Sequence, residues 1–245
     1  MRRFYAPPEN FEKEKVTLGF EESKHLRDVL RLREGAEVYV FNGEGKEFRC
    51  RVESIGKGET ILEIHERVSP KAPESSLNLT LAVALLKGEK FDLVVQKTCE
   101  LGVSRIVPLE TARADVKIKN AAEAEKKIER WRRIALEAAK QSGRARLMQI
   151  DAPVSFKDFL NQANQAENSI LFSERGGESL KILYDKNISE ITAVVGAEGG
   201  WEDAEIEAGR ARSFHIVTLG GRILRAETAA IVTAALLQNR FGDLF

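Results

Sequence analysis

The stretch ITAVVGAEGGW, residues 191–201, indicates how the larger part of the chain folds. Its first half is a short apolar run with several β-branched residues, which predicts a buried strand. Three glycines and a glutamate follow, and an acidic, helix-forming segment comes next. A buried strand that ends in a glycine loop and continues into a helix is typical of a parallel sheet, in which ligands bind at the carboxyl ends of the strands.

The same alternation of strands and helices extends to both sides of this stretch. We predict further strands at residues 77–86, 105–109, 147–150, 169–172 and 215–219. Helices are predicted after Lys87-Gly88, at residues 121–141 and at residues 226–238. The pattern predicts an α/β domain whose parallel sheet is covered on both faces by helices.

The amino-terminal part of the chain has a different, two-residue periodicity. Apolar and polar residues alternate at 36–41, 47–52 and 60–64, and Asn42-Gly43 is a hairpin signal. These segments predict a small all-β unit. A helix is expected before it, from about Glu21 to Leu32, and its spacing predicts a core-facing side for Leu26, Val29 and Leu30.

A candidate linker separates the two patterns. Val68 to Ser76 contains two prolines and three serines, a composition typical of a connection between domains. We therefore predict two domains, a β domain at residues 1–70 and an α/β domain at residues 74–245.

Composition narrows the class of protein. The chain has 245 residues, of which 43% are hydrophobic and 31% charged, as in ordinary globular proteins. Its long apolar runs are far shorter than the ~20 residues that a membrane span needs, and the first residues lack the apolar core of a signal peptide. We expect a cytoplasmic protein. Two distant cysteines and three scattered histidines indicate neither a disulfide framework nor a metal site.

Charge is balanced overall but unevenly distributed. Lys+Arg and Asp+Glu both count 38. Residues 117–146 nevertheless carry ten basic and four acidic side chains, and residues 24–33 carry four basic and one acidic. Each run alone is compatible with a solvated helix face. Two such runs in a balanced chain also suit a track that binds the phosphates of a nucleic acid.

A second glycine loop follows another predicted strand, at residues 218–228. Neither loop has the GxxxxGK[ST] or GxGxxG spacing of nucleotide phosphate loops, and Glu198 would face a phosphate with a carboxylate. The loops better suit a ligand that has a base to be bound by backbone groups and positive charge elsewhere. S-adenosylmethionine (SAM) is such a ligand. Tight turns with a solvent-facing Glu198 are the alternative interpretation.

Five segments resemble the RsmE family of SPOUT-class methyltransferases. VGAEGG at 195–200 is similar to that family's IGPEGG loop, with Ala197 in place of the usual proline, and LGGRILRAETA at 219–229 is similar to its LGxRILRxETA element. The other three are QKTCELGV at 96–103 followed by Pro108, EAAKQSGR at 137–144, and HLRDVLR at 25–31. The resemblance spans nearly the whole chain.

The resemblance implies both a fold and an activity. The implied fold is a PUA-like β-barrel in front of an α/β SPOUT domain whose carboxyl end forms a trefoil knot, assembled as a homodimer. The implied activity is SAM-dependent methylation of N3 of one uridine in 16S ribosomal RNA, within the 30S subunit. Pattern rules alone would predict an unknotted sheet, because threaded chains are rare.

The implied chemistry suggests roles for charged residues in the two loops. Uridine N3 carries a proton at neutral pH, so a cation that stabilises the anion would favour reaction. We predict Arg225 for this role, with Arg222 second. Glu198 and Glu227 are candidate proton acceptors, unless solvent serves. Glu198 is alternatively expected to hold the loop or to neutralise the cofactor's cationic end, and Glu227 to be a favourable acidic residue at a helix start.

Binding residues are predicted by position. Cofactor contacts are expected from three loops, at Leu171, Phe172, Ser173, Glu174, Val195, Gly196, Ala197, Glu198, Gly199, Gly200, Leu219, Gly220, Ile223, Leu224, Arg225 and Thr228. RNA contacts are expected from Lys24, Arg27, Arg31, Arg130, Arg133 and Arg144.

Other functions remain open at this level. The chain could be a SPOUT enzyme that methylates a ribose 2′-OH or another RNA base. It could also be a ribosome-assembly factor that keeps the fold and has lost the chemistry. An enzyme that handles nucleotide phosphates is disfavoured because neither loop has a P-loop lysine.

Overall fold

A computed structural model describes residues 2–162, 168–184 and 187–244. The chain forms two compact units. The first comprises Met1–Glu74 together with Ala139–Leu147, and the second comprises Ser75–Ala138 and Met148–Phe245. The segment Ala139–Leu147 thus groups with the amino-terminal unit, whereas the linker-based prediction gave it to the second domain.

The first unit is built on one six-stranded sheet. Its strands are β1 (Arg3–Tyr5), β2 (Phe11–Glu12), β3 (Lys15–Leu18), β4 (Glu37–Phe41), β5 (Glu47–Ile55) and β6 (Thr60–Val68), in the order β1-β4-β5-β6-β3-β2. All neighbours are antiparallel except β1 and β4. The core contains Phe4, Val16, Val38, Val40 and Leu62, which are fully buried. The predicted strands are confirmed, because alternation places one face of each on this core.

The predicted amino-terminal helix is shorter and less regular than its sequence pattern suggests. Helix α1 covers Phe20–Lys24 and continues as a π-helical turn, His25–Val29. Leu26 is fully buried as predicted, but Val29 is 65% and Leu30 36% exposed, so the prediction of core positions for these two was wrong. A π-turn has more residues per turn than an α-helix, which rotates the following side chains out of the expected phase.

A buried arginine ties the first strand to the segment Ala139–Leu147 within the first unit. Arg3 Nε donates to Glu47 Oε1 at 2.7 Å, and both side chains are only 2% exposed. The Arg3 guanidinium also donates to the carbonyl oxygens of Ala139 at 3.0 Å and Arg144 at 2.7 Å. It lies over the Phe41 ring, with Cζ 4.1 Å from the centroid. The buried charge is therefore almost fully compensated.

We expect Arg3→Met to lower the free energy of unfolding by about 3 to 5 kcal/mol, because the substitution leaves the Glu47 carboxylate buried without its cation. Urea titration followed by circular dichroism measures the change. Lys15→Met is the control, since it removes the exposed Lys15–Glu53 pair and should change stability little. A loss for Arg3→Met no larger than that of the control would contradict this assignment.

The second unit is an α/β structure around a parallel sheet. Its strands are β7 (Asn78–Ala84), β8 (Arg105–Glu110), β9 (Gln149–Ile150), β10 (Val154–Ser155), β11 (Ser169–Phe172), β12 (Glu178–Ser179), β13 (Glu190–Val195) and β14 (His215–Thr218). Its helices are α2 (Lys90–Glu100), most of α3 (Ala121–Ser142), α4 (Phe156–Gln162), α5 (Asp203–Ala211) and α6 (Ala226–Phe241). The strand order is β10-β8-β7-β13-β11-β14-β12, with β9 beside β8, and all pairs are parallel. The predicted fold class is confirmed.

The strand order places three strand ends together. Strand β11 lies between β13 and β14, although it precedes both in sequence. Their carboxyl ends therefore meet at one edge of the sheet, as parallel pairing requires. This crossed order fits the knotted carboxyl end that the family resemblance implies. The loops predicted to bind the cofactor follow these three strands.

Two further properties concern the described residues only. None of their helices is both long and apolar enough to cross a membrane. In these same parts of the chain, no group of three or more His, Cys, Asp or Glu side chains is arranged to hold a metal ion.

Candidate functional site

A cavity of about 420 Å³ opens at the carboxyl ends of β11, β13 and β14. This volume is in the range of sites that hold small organic ligands. It is lined by Phe172, Ser173, Glu174, Val195, Gly196, Ala197, Glu198, Gly199, Gly200, Trp201, Thr218, Leu219, Gly220, Arg222, Ile223, Leu224, Arg225, Ala226 and Ala229. Fourteen of the sixteen residues predicted to contact the cofactor line this cavity.

Two of the predicted cofactor residues lie elsewhere. Leu171 is fully buried in the core cluster beneath the sheet edge, and Thr228 is exposed on α6. Neither lines the described wall of the cavity. The position of Leu171, one residue before the end of its strand, explains its burial, because side chains of a central strand alternate between two covered faces.

Trp201 is the main residue that the cofactor prediction omitted. Its side chain is fully buried, and its indole N–H donates to the carbonyl oxygen of Phe172 at 2.8 Å. The ring also packs against Phe156, with centroids 5.0 Å apart. Trp201 thereby joins the ends of β11 and β13 beneath the cavity. The position of Trp201 directly after the glycine loop was the sequence feature that could have identified it as a residue of the site.

The glycines of the first loop are required by neighbouring protein atoms. A Cβ atom on Gly196 would lie 2.9 Å from Trp201 Cε2, and one on Gly199 would lie 2.9 Å from Arg113 Cβ. Gly200 has φ +67° and sits against the carboxylate of Glu174. The loop closes as a tight turn, with Gly200 N donating to the carbonyl of Ala197 at 3.0 Å. Close packing between loops, as well as ligand approach, therefore accounts for the glycines.

The second loop is more open. Gly220 has φ +103°, a backbone conformation that favours glycine, and a Cβ there would meet no described atom within 4 Å. Ile223 in the same loop is 84% exposed. This loop leaves room for a ligand at the cavity mouth.

Ala197 is held by small-residue packing. Its side chain is 6% exposed and clusters with Ala84 and Ala114. The Arg113 guanidinium also donates to the carbonyl of Gly199 at 3.2 Å. These contacts restrain the loop at the position where the similar family usually has a proline.

Glu198 is anchored by three donors. Lys90 Nζ lies 2.8 Å from Glu198 Oε1. Partial burial acts to raise the pKa of Glu198, but the Lys90 hydrogen bond, backbone N–H groups of Glu198 and Lys87, and the Lys90 charge outweigh it, so the pKa is lower than that of an ordinary glutamate. The hydrogen bond from Lys90 to Glu198 also raises the pKa of Lys90. Both groups are therefore ionised at neutral pH.

Glu227 lies behind the cavity wall. It belongs to the first turn of α6 and is not among the described lining residues. Its side chain is 12% exposed, and Oε2 lies 4.0 Å from Lys90 Nζ. This oxygen is buried and has no hydrogen-bond partner in the described parts of the chain. Lys90 is thus close to both carboxylates predicted as proton acceptors, a relation that no sequence motif indicates.

Two arginines give the cavity its positive charge. Arg222 and Arg225 both line it and are exposed. Arg225 occupies the N-cap position of α6, so its side chain emerges where the second loop enters the helix. The cavity therefore combines two guanidinium groups with the carboxylates of Glu174 and Glu198.

The predicted RNA-binding residues of the first unit differ in accessibility. Lys24 and Arg31 are exposed, and Arg31 has φ +51°. The guanidinium of Arg27 is partly engaged, donating to Asp28 at 2.7 Å and to the carbonyl of Gly56 at 3.0 Å. Arg144 is 4% exposed, and its Nη2 lies 2.7 Å from Glu74 Oε2. Burial and this ion pair indicate a structural role for Arg144 and remove the basis for predicting RNA contact there.

In the second unit, Arg130 and Arg133 are exposed on α3. Arg130 Nε donates to Asp92 Oδ2 at 2.9 Å, so part of its charge is neutralised within the unit. Arg133 lies three residues further along the same helix, on a neighbouring position of its surface.

The residues of the cavity fit SAM. The loop backbones can meet an adenine, and Glu174 and Glu198 are acceptors suited to hydroxyl and ammonium groups. No described lining residue is a lysine, and neither loop has a phosphate-cradling pattern. The backbone groups and carboxylates of the cavity thus suit an adenosine ligand with a cationic end better than a nucleoside triphosphate.

Comparison with known proteins gives concordant matches over both units. The profile of an RNA methyltransferase domain matches residues 73–238, and that of an RNA methyltransferase PUA domain matches residues 19–64. The chain is 35% identical to ribosomal RNA small subunit methyltransferase E of Synechocystis, over 95% of this chain and 76% of that protein. It is 35% identical to the protein of that name from Aquifex aeolicus, over 89% and 91% respectively.

A solved structure matches equally well. The crystal structure of a ribosomal RNA small subunit methyltransferase E from Neisseria gonorrhoeae, bound to SAM, superposes with a TM-score of 0.89 at 32% identity and full coverage of both chains. Family profiles, relatives and fold all agree with the loops that line the cavity. The chain belongs to the family of ribosomal RNA small subunit methyltransferase E.

Proposed function

We propose that this protein is a SAM-dependent methyltransferase that methylates N3 of one uridine in the 16S RNA of the small ribosomal subunit. The observation that carries the proposal is the cavity at the ends of β11, β13 and β14. It joins the two loops of the family pattern to the exposed guanidinium groups of Arg222 and Arg225. The relatives named for small-subunit RNA methylation point to the same substrate class.

The cofactor would be held chiefly by backbone groups of three loops, at Phe172 to Glu174, Gly196 to Gly200 and Leu219 to Leu224. When bound, SAM supplies an electrophilic methyl group on a sulfonium. The protein contributes alignment of the two reacting partners, which lowers the barrier by several kcal/mol. The buried contacts of Trp201 and the packed glycines support a preformed cavity, and preformed geometry lowers the ordering cost of binding.

Arg225 is proposed to stabilise the reacting base, with Arg222 assisting. Loss of the N3 proton places negative charge on the uracil O2 and O4 atoms. A guanidinium near those oxygens favours the anion and lowers the pKa of N3. Arg225 is better placed than Arg222 because its backbone is fixed at the start of α6, whereas Arg222 lies within the open loop.

The structure favours solvent over a carboxylate as the proton acceptor. Glu198 is engaged by Lys90, and its lowered pKa makes it a weak base. Glu227 is a candidate only if its buried Oε2 becomes reachable, because it lies outside the described lining. We assign Glu198 to holding the loop, with its charge beside the cationic end of the cofactor.

RNA binding is proposed to use exposed cations of each unit: Lys24, Arg27 and Arg31 in the first, and Arg130 and Arg133 in the second. Such contacts attach to phosphates and position the RNA without selecting the base. The target uridine must leave its stack to reach the cavity. We further propose a β domain at residues 1–70 and an α/β domain within residues 74–245, from which Ala139–Leu147 is excluded because it groups with the first unit. The enzyme is proposed to act in the cytoplasm on the 30S subunit.

A homodimer is proposed from the family resemblance. Helices α2 and α6 pack against each other within the second unit, and each presents a partly exposed leucine, Leu93 and Leu236, both at 40% exposure. Exposed leucines on neighbouring helices suit a contact between copies. Light scattering coupled to gel filtration measures the mass, and a monomer at micromolar concentration would contradict the dimer.

Transfer of radiolabelled methyl from SAM tests the substrate. We expect label on 30S subunits that lack the native modification and little label on 50S subunits. Deproteinised 16S RNA, used in parallel, establishes whether the assembled particle is needed. Binding of SAM without label on any ribosomal RNA would contradict the proposal and favour a non-catalytic assembly factor.

A further inference from the structure

Lys90 contacts acidic residues from both loop systems of the second unit. It is the first residue of α2, and its Nζ lies 2.8 Å from Glu198 Oε1 and 4.0 Å from Glu227 Oε2. Glu198 belongs to the loop after β13, and Glu227 belongs to the start of α6, directly after the loop that follows β14. One ammonium group therefore joins three elements that are far apart in sequence.

The two carboxylates depend on this ammonium. Glu227 Oε2 is buried and has no hydrogen-bond partner among the described residues, so its charge needs compensation by a nearby cation. Lys90 supplies this compensation, with its Nζ 4.0 Å from the buried oxygen. Glu198 has backbone donors besides Lys90. Without Lys90, two carboxylates that now share a cation would repel each other.

We propose that Lys90 is a positioning residue that keeps the two cofactor loops in their binding arrangement by neutralising Glu198 and Glu227 together. Lys90 lies outside the described cavity lining, so it acts through the carboxylates rather than by touching the ligand. The inference rests on the proposed function, since it concerns the affinity of the same cavity for its cofactor.

Lys90→Met is expected to weaken binding about 10-fold for both SAM and S-adenosylhomocysteine, because the loops that bind their shared adenosine part lose a common restraint. Isothermal titration calorimetry on the full-length protein measures both Kd values. Equal losses are the signature of positioning, because S-adenosylhomocysteine lacks the sulfonium charge. Tighter binding of SAM with unchanged binding of S-adenosylhomocysteine would mean that Lys90 acts on the sulfonium through space, which would overturn the proposal.

Two rescue variants separate charge neutralisation from general disruption. Lys90→Arg keeps a cation and should bind SAM within about threefold of the wild-type Kd. Adding Glu227→Gln to Lys90→Met removes one of the two repelling charges and should recover most of the lost affinity. Failure of both variants to recover affinity would overturn the proposal.

Lys97→Met is the matched control. Lys97 lies on the same helix, has a similar exposed fraction and pairs with a single carboxylate, Glu100, at 2.9 Å. Its removal should leave both Kd values unchanged, and a loss equal to that of Lys90→Met would overturn the specific role. Wild-type protein that binds neither ligand would instead contradict the proposed function, so the two failures are distinguishable.

Discussion

Replacing Arg225 with alanine is expected to lower the rate of methyl transfer at least ~100-fold, while the Kd for SAM changes less than about threefold. The reason is that the guanidinium stabilises negative charge that develops on the uracil only as N3 loses its proton. Arg225 lines the cavity and has its backbone fixed at the N-cap of α6. Single-turnover transfer to 30S subunits measures the rate, and calorimetry measures cofactor binding.

Arg222→Ala and Arg210→Ala complete this experiment. Arg222 also lines the cavity, and we expect its removal to have a smaller effect than that of Arg225. Arg210 is an exposed arginine on α5 whose nearest ion-pair partner is Glu207 at 3.6 Å, and its removal should leave both quantities unchanged. Parallel loss of rate and cofactor affinity in Arg225→Ala would mean that the residue holds cofactor or fold, and the catalytic role would be wrong.

Gly196→Ala is expected to weaken SAM binding at least ~30-fold. The added Cβ would lie 2.9 Å from Trp201 Cε2, and the fully buried indole is fixed by its hydrogen bond to Phe172. The loop must therefore move away from the indole, and overpacking of this kind typically costs 1–3 kcal/mol. Calorimetric titration with SAM measures the loss of affinity.

Two further variants test the cause of the loss expected for Gly196→Ala. Gly58→Ala is the control, because Gly58 is exposed and a Cβ there would meet no described atom within 4 Å. Trp201→Phe combined with Gly196→Ala provides space for the new methyl group and should recover part of the affinity. Unchanged SAM binding by Gly196→Ala alone would show that the packing of this loop on Trp201 does not shape the site.

The sequence predicts regular elements well where periodicity reflects burial. The strands of the first unit and the longer strands and helices of the second follow their hydrophobic patterns. Two-residue strands such as β10 and β12 were not predicted, since so short a segment has no measurable period. Val29 and Leu30 were placed in the core because an ideal α-helix was assumed, and the π-turn changed their direction.

The residues of the site were predicted from local motifs, but the ion pairs that they and their neighbours form were not. The loops at 196–200 and 219–225 carry recognisable patterns, and most of their residues line the cavity. Lys90 and Glu198 are separated by 108 positions, so no spacing rule connects them. Arg144 was selected because it lies in a basic run, and its ion pair with Glu74 depends on tertiary structure.

The order of strands in the sheet also could not be predicted from local sequence patterns. Alternating strands and helices predict a parallel sheet, but they do not predict that β11 lies between β13 and β14. The shortest connections would place successive strands side by side. Only the family resemblance indicated a threaded carboxyl end.

The most direct test of the proposed function is identification of the methylated nucleoside. Unmodified 30S subunits are incubated with the wild-type protein and SAM, the RNA is digested to nucleosides, and the product is identified by mass spectrometry against standards. The proposed function predicts 3-methyluridine at a single position of the small-subunit RNA. A ribose-methylated nucleoside, or a methylated base other than uracil, would contradict it.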